Sequence, residues 1–169
     1  MATNAPPQTP SEESFRKGMA AMDRRLYLEA IAAFQAAIDL ERQEGTKNPR
    51  MKYVSYLGLA LVMANGRSEE GVKLCEQAVK REFFDADLFC NLGIAYLRDR
   101  QKKQAFEAFQ KGLNIKPGHR RIQEELDRYD RRSYPVFTFL PRTHPINVLA
   151  GRVRHRLRVL FHSSAANEA

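Results

Sequence analysis

The sequence predicts an all-α fold assembled from helical hairpins, and three observations carry that expectation. From Ser11 to about Asp130 the apolar residues recur at intervals of three and four, the spacing of one face of a helix. The interruptions are short and rich in turn formers: "DRRL" at 23–26, "NGRS" at 65–68, "RDRQ" at 98–101 and a longer "EGTKNP" at 44–49. Nowhere in this stretch do apolar and polar residues alternate as they would along a half-buried strand. At 169 residues, 43% hydrophobic and 28% charged, the chain is large enough for one well-buried unit with short appendages.

Residues 1–10 hold Pro, Thr, Ala and Asn with almost no core formers, and are expected to be a disordered lead-in. The first helix is expected to start at Ser11 as its N-cap, with Glu12 and Glu13 favourable near the positive end of the helix dipole. Gly45 suits a left-handed C-cap, and Pro49 cannot continue a helix interior. Helices of about a dozen residues should fill the intervals up to residue 119. A further helix over 119–132, "HRRIQEELDRYDRR", places Ile122, Leu126 and Tyr129 on one face and charges elsewhere.

The hairpins repeat. In "ADLFCNLGIAYLRDRQKKQAFEAFQKGLNIKPGH", residues 86–119, a first helix carries Leu92, Gly93 and Tyr96 and a second returns with Ala105 and Phe109 before Pro117 ends the unit. The glycine lets a neighbouring helix approach closely, and the aromatic fills the gap at the crossing. Gly18, Ala30, Phe34 and Ala37 keep the spacings of Gly93, Ala105, Phe109 and Gly112. In between, Leu57 and Gly58 match, while Gly71, Cys75 and Ala78 match once one extra residue is allowed in the "NGRS" turn. These three copies, at roughly 11–44, 51–85 and 86–119, resemble the tetratricopeptide repeat (TPR), a helix-turn-helix unit of about 34 residues.

That resemblance implies a helical-hairpin superhelix, an α-solenoid, over 11–132, with 119–132 as the C-terminal capping helix that such arrays need. The chain departs from the family in lacking Trp altogether, and the usual aromatic site early in the first helix holds Ser14, Val54 and Phe89 in turn. The resemblance also implies a function. Family members bind a peptide or another protein on the concave face lined by the first helices of the repeats, which on this chain means Phe15, Met19 and Met22, then Ser55, Leu59, Val62 and Met63, then Cys90, Asn91, Ile94 and Leu97. Some of these apolar residues are expected simply to pack between adjacent helices. The methionines suit an adaptable surface. The clamp with which some members hold the acidic tails of heat-shock chaperones needs Lys, Arg or Asn where this chain has Phe15, Met19, Tyr56 and Asp87; Asn91 alone is in place, so chaperone-tail binding is not expected.

The charge sits at the other end. Residues 131–169 carry seven arginines against one acid, Glu168, and supply +6 of the net +8. Within them 133–145 is rich in Pro and aromatics (Tyr134, Phe137, Phe139) and reads as an extended segment. Residues 146–162 put Ile146, Leu149, Val153, Leu157 and Leu160 on one stripe and Arg152, Arg154, Arg156 and Arg158 over the rest, the pattern of a basic amphipathic helix; 163–169 is expected to be a disordered end. Such a tail helix can dock on its own repeats, on an acidic protein partner or on an anionic membrane surface. Nucleic acid is disfavoured, because no aromatic-rich RNA platform or zinc-finger pattern accompanies it.

Catalysis and cofactors are not expected. The four histidines, His119, His144, His155 and His162, lie in the C-terminal third and none pairs with a Ser or Cys in a nucleophile motif. Glu69 and Glu70, and Glu124 and Glu125, are adjacent pairs on helical faces that solvent or a salt bridge satisfies. There is no phosphate-cradling glycine loop and no metal-ligand set. Cys75 and Cys90 match no ligand spacing and are too few for a disulfide framework, which suits a reducing cytoplasm; neither a signal sequence nor a bilayer-spanning apolar run is read. The expectation is a cytoplasmic scaffold or adaptor of bacterial style that binds a peptide or helix. The alternatives are a chaperone for an apolar secreted substrate, since the three-repeat plan resembles type III secretion chaperones, and a membrane-peripheral assembly factor acting through the tail helix.

Overall fold

The computed structural model describes residues 9–45, 49–64 and 68–133. Among them are seven α-helices: α1 (Pro10–Asp23), α2 (Tyr27–Gln43), α3 (Met51–Met63), α4 (Ser68–Arg81), α5 (Ala86–Arg98), α6 (Lys102–Ile115) and α7 (Arg120–Ser133). Residues to Ile122 form one compact unit, in which α1 pairs with α2, α3 with α4 and α5 with α6, and α3 also packs against α2 and α5. A second unit begins at Gln123; in its part of α7, Leu126 and Tyr129 are half-buried and Arg128 bonds Glu125 one turn back. The lead-in through residue 8 and the tail from residue 134, with Arg152, Arg154, Arg156 and Arg158, lie outside the described residues.

The start of α1 corrects the sequence expectation. Thr9, not Ser11, is the N-cap: its hydroxyl accepts the Glu12 N–H at 3.3 Å, and the Glu12 carboxylate accepts the Thr9 N–H at 3.4 Å. Proline fits the first helical position because its missing N–H is one of the unsatisfied donors there, so "TPSE" forms a capping box one step earlier than "PSEE" suggests. Ser11 is buried instead, its Oγ bonded to Thr9 Oγ1 at 2.9 Å.

The turns inside the first and third hairpins are copies of one motif. Arg25 and Arg100 both adopt positive φ, 61° and 63°. The following residue donates back across the turn in each case, Leu26 N–H to Ala21 O at 2.9 Å and Gln101 N–H to Tyr96 O at 2.8 Å. This is a Schellman closure with arginine at the left-handed position that glycine usually takes. Gly45 takes the left-handed conformation after α2, φ 82°, as its sequence context predicts.

A charged lock ties the first hairpin to the second. Glu41, 4% exposed near the end of α2, accepts the Arg50 backbone N–H at 2.7 Å and the Arg50 Nε–H at 2.8 Å. The same guanidinium bonds Glu12 at 2.7 Å. Arg50, with the Thr9 N–H, holds the Glu12 carboxyl below its usual range.

Packing inside the hairpins explains the repeated glycines. A Cβ at Gly18 would run into the Phe34 ring, and one at Gly93 into the Phe109 ring; both rings are buried. In the middle hairpin Cys75 stands where the other two have phenylalanine, and the helices draw together. There a Cβ on Gly58 would lie 2.6 Å from the Gly71 carbonyl oxygen, and one on Gly71 would strike the Gly58 carbonyl. α3, apolar nearly all round, is correspondingly the central helix, with every residue from Tyr53 to Val62 buried.

Candidate partner-binding groove

The residues expected to line a groove come from α1, α3 and α5, and the structure divides them by exposure. Phe15, Met19 and Met22 on α1 are half-buried and pack against the core; Met63, Ile94 and Leu97 are also half-buried. Ser55, Leu59, Val62, Cys90 and Asn91 are buried.

The α1–α3 end is built from aromatics. The Phe15 ring stacks on Tyr53 at a centroid distance of 4.7 Å, meets Tyr56 edge-on at 5.4 Å and lies 5.4 Å from Phe34. Lys52, exposed at the start of α3, places its ammonium 5.4 Å from the Phe15 centroid. Burial raises the Tyr53 phenol above its usual range against the pull of Arg50. Among the described residues its hydroxyl is the buried side-chain polar atom left without a hydrogen bond, and the Ser11 hydroxyl bonds Thr9 instead. An unbonded buried hydroxyl costs desolvation with no return. Tyr53→Phe is therefore expected to leave the urea midpoint unchanged or raise it, worth from about 0 to 1 kcal/mol; a loss above that range would show that the hydroxyl has a partner.

The α3–α5 end is polar and fully connected. Asn91 donates to Ser55 Oγ at 3.1 Å and accepts from Arg121 at 3.1 Å. Arg121, its side chain 39% exposed, also donates to the Tyr56 hydroxyl at 2.9 Å and stands 3.6 Å from Asp87. Asp87 in turn meets His119 Nε2 at 3.2 Å, and His119 Nδ1 accepts the Ile122 N–H at 3.3 Å. The second bond requires the tautomer that carries its hydrogen on Nε2, which then donates to Asp87. His119 is thus the N-cap of α7 and is buried, 6% exposed. Neither it nor Arg121 stands out in the sequence as a member of this network. The signal was present only in the placing of His119 just before a helix, after Pro117 and Gly118.

The remaining reactive groups are quiet. Cys75 donates to the Ser55 carbonyl at 3.4 Å, and burial pushes its thiol up to about 12, so it stays protonated at neutral pH. Burial and the Glu76 carboxylate, which accepts its hydroxyl at 2.6 Å, raise Tyr96 as well. Among the described residues no group of three or more His, Cys, Asp or Glu is placed to hold a metal ion, and no helix is long and apolar enough to cross a membrane.

Helical hairpins paired α1 with α2, α3 with α4 and α5 with α6 in tandem define a helical-repeat fold. Residues 86–119 match the family model of the tetratricopeptide repeat. By fold, the chain is similar to the TPR domain of Arabidopsis OM64, with a TM-score of 0.57 and 18% identity over 73% of this chain and 96% of that one. It is also similar to the Sgt2 TPR domain from Aspergillus fumigatus, with a TM-score of 0.52 and 22% identity over 86% of this chain and 97% of that one. No curated protein matches the sequence. The chain thus has the fold of tetratricopeptide-repeat domains, with residues 86–119 matching one repeat.

Proposed function

We propose that the protein is a non-catalytic scaffold or adaptor that takes a peptide or helix of another protein against the inner faces of α1, α3 and α5, in a reducing compartment that suits its two buried free thiols. The observation that carries this reading is the row of half-buried apolar side chains, Phe15, Met19 and Met22 on α1 with Ile94 and Leu97 on α5, which keep part of their apolar surface in solvent. Large side chains left partly open on first helices cost solvation in the free protein and return it when a partner covers them.

The test is affinity capture with the full chain and two variants, Met22→Asp and Ile94→Asp, each checked for retained helicity by circular dichroism. Both sites already touch solvent, so a carboxylate can stay hydrated in the folded protein while being excluded from an apolar contact. At least a tenfold loss of recovered partner is expected from each. Recovery equal to that of the parent chain from both would remove the groove from the account.

A further inference from the structure

The turn from α4 into α5 carries two side chains that the fold does not need. It is built like the turn from α6 into α7: residues 82–85 and 116–119 separate the helices, and the last residue of each caps the helix that follows, Asp85 by accepting the Asp87 N–H at 2.8 Å and His119 by accepting the Ile122 N–H. The middle of the second turn is Pro117 and Gly118, ordinary turn formers; the middle of the first is Phe83 and Phe84. Both phenylalanines stand in solvent, 70% and 68% exposed, and their rings meet each other edge-on at a centroid distance of 5.7 Å. A turn of this kind closes without rings, so what these two do lies outside the hairpins.

Their surroundings are apolar and positive. Gly112, in the last turn of α6, lies against the start of α5: a Cβ on it would stand 3.2 Å from Phe89 Cβ and 3.5 Å from the Ala86 carbonyl oxygen. Ile115, 40% exposed, and Lys116 follow at once and so share this end of the hairpins with the phenylalanines. Lys80 and Arg81, in the last turn of α4, are exposed, as is Lys116. The acids between them are drawn in: Glu82 and Asp85 are half-buried, and Asp85 is engaged as a cap.

We infer that the 82–85 turn seats the protein on an anionic phospholipid surface, the Phe83 and Phe84 rings entering the acyl boundary and Lys80, Arg81 and Lys116 lying at the level of the phosphates. A bound small molecule needs walls around it, and two rings on a turn enclose nothing; a bilayer supplies the apolar depth itself. Apolar insertion and basic charge together give stable peripheral attachment where either alone is marginal. The net charge of the whole chain, +8, acts in the same direction. Such attachment needs no part of the groove, and it adds a place, the membrane surface, to the scaffold reading.

The chain has no tryptophan, so Phe83→Trp gives one emission band that reports on the turn alone. The full chain with that substitution is mixed with vesicles of phosphatidylcholine, alone or with about one-third phosphatidylserine, carrying plain or brominated acyl chains. With phosphatidylserine the emission is expected to shift to the blue and to be quenched by the brominated chains; phosphatidylcholine alone should do little, and salt should weaken both effects. In flotation with the anionic vesicles, Phe83→Ser combined with Phe84→Ser, both at exposed sites and checked by circular dichroism, should lower the partition at least about tenfold. Flotation of the double variant equal to that of the parent, but lost when Arg152, Arg154, Arg156 and Arg158 become Gln, overturns the inference and leaves the tail as the contact. A blue shift that needs no lipid and grows with protein concentration also overturns it, since a second copy then covers the rings. So does the absence of flotation with either vesicle.

Discussion

Phe34→Ala is expected to lower the unfolding free energy by about 4 kcal/mol, and Gly18→Ala, damaging in the parent chain, is expected to become harmless beside it. Phe34 has no exposed surface; its ring fills the space over Gly18 and lies 5.4 Å from Phe15 and 5.8 Å from Tyr56. Removing it forfeits burial and leaves a cavity lined by rings that backbone geometry keeps apart. Gly18→Ala in the parent chain gains about 1 kcal/mol of helix propensity but drives a methyl into that ring, an overpacking cost of about 1 to 3 kcal/mol. Without the ring, only the propensity gain is left. Urea unfolding of the parent, both single variants and the double variant measures the coupling, expected to reach about 2 kcal/mol. Strict additivity would mean that ring and glycine do not share the space the structure gives them.

Gly71→Ala should cost more than Gly18→Ala, about 2 to 3 kcal/mol, although alanine is the better helix former. What the new methyl meets is the Gly58 carbonyl and the Val62 side chain and amide, and backbone inside two paired helices cannot rotate aside as a ring can. For a unit of this size, that corresponds to a fall in Tm of about 10 °C or more. Gly118→Ala is the control, since a Cβ there meets nothing within 4 Å, and it should stay within about 0.5 kcal/mol of the parent. If the two variants melt together, the close approach of α3 and α4 is not what holds the middle hairpin.

The hairpin plan was legible because it rests on short-range spacing. Gly93 and Phe109 announce their contact through repeat distance, and Gly18 and Phe34 repeat it. Helix ends were less legible where two readings compete locally, as at "TPSE" against "PSEE", since either Thr9 or Ser11 can cap and only the proline at the first helical position decides. The left-handed Arg25 and Arg100 were hidden for a related reason: arginine carries no turn signature, and the closing hydrogen bonds, not the residue type, hold the conformation. The polar network joining α3, α5 and the start of α7 could not be read at all. Tyr56 and Arg121 are 65 residues apart and Asn91 and Ser55 36 apart, and no periodicity links side chains whose only relation is that folding brings them together. Exposure was equally hidden: Leu59 and Cys90 share the first helices with Met22 and Ile94, yet α3 is buried from Tyr53 to Val62 while Met22 and Ile94 keep part of their surface open.

The paired glycines of the middle hairpin also close it to the ring that its neighbours use. With a small thiol at 75 the α3 and α4 backbones lie close together, and phenylalanine at that position cannot give the hairpin seen on either side of it, because the Cys75 sulfur already lies 2.9 Å from where a Cβ on Gly58 would stand. Admitting a ring needs the helices to part, and their parting without the ring leaves a void; each half of the change is costly alone. The middle hairpin thereby keeps the plan of its neighbours with a different pair of contacting residues, backbone against backbone where they set glycine against a ring.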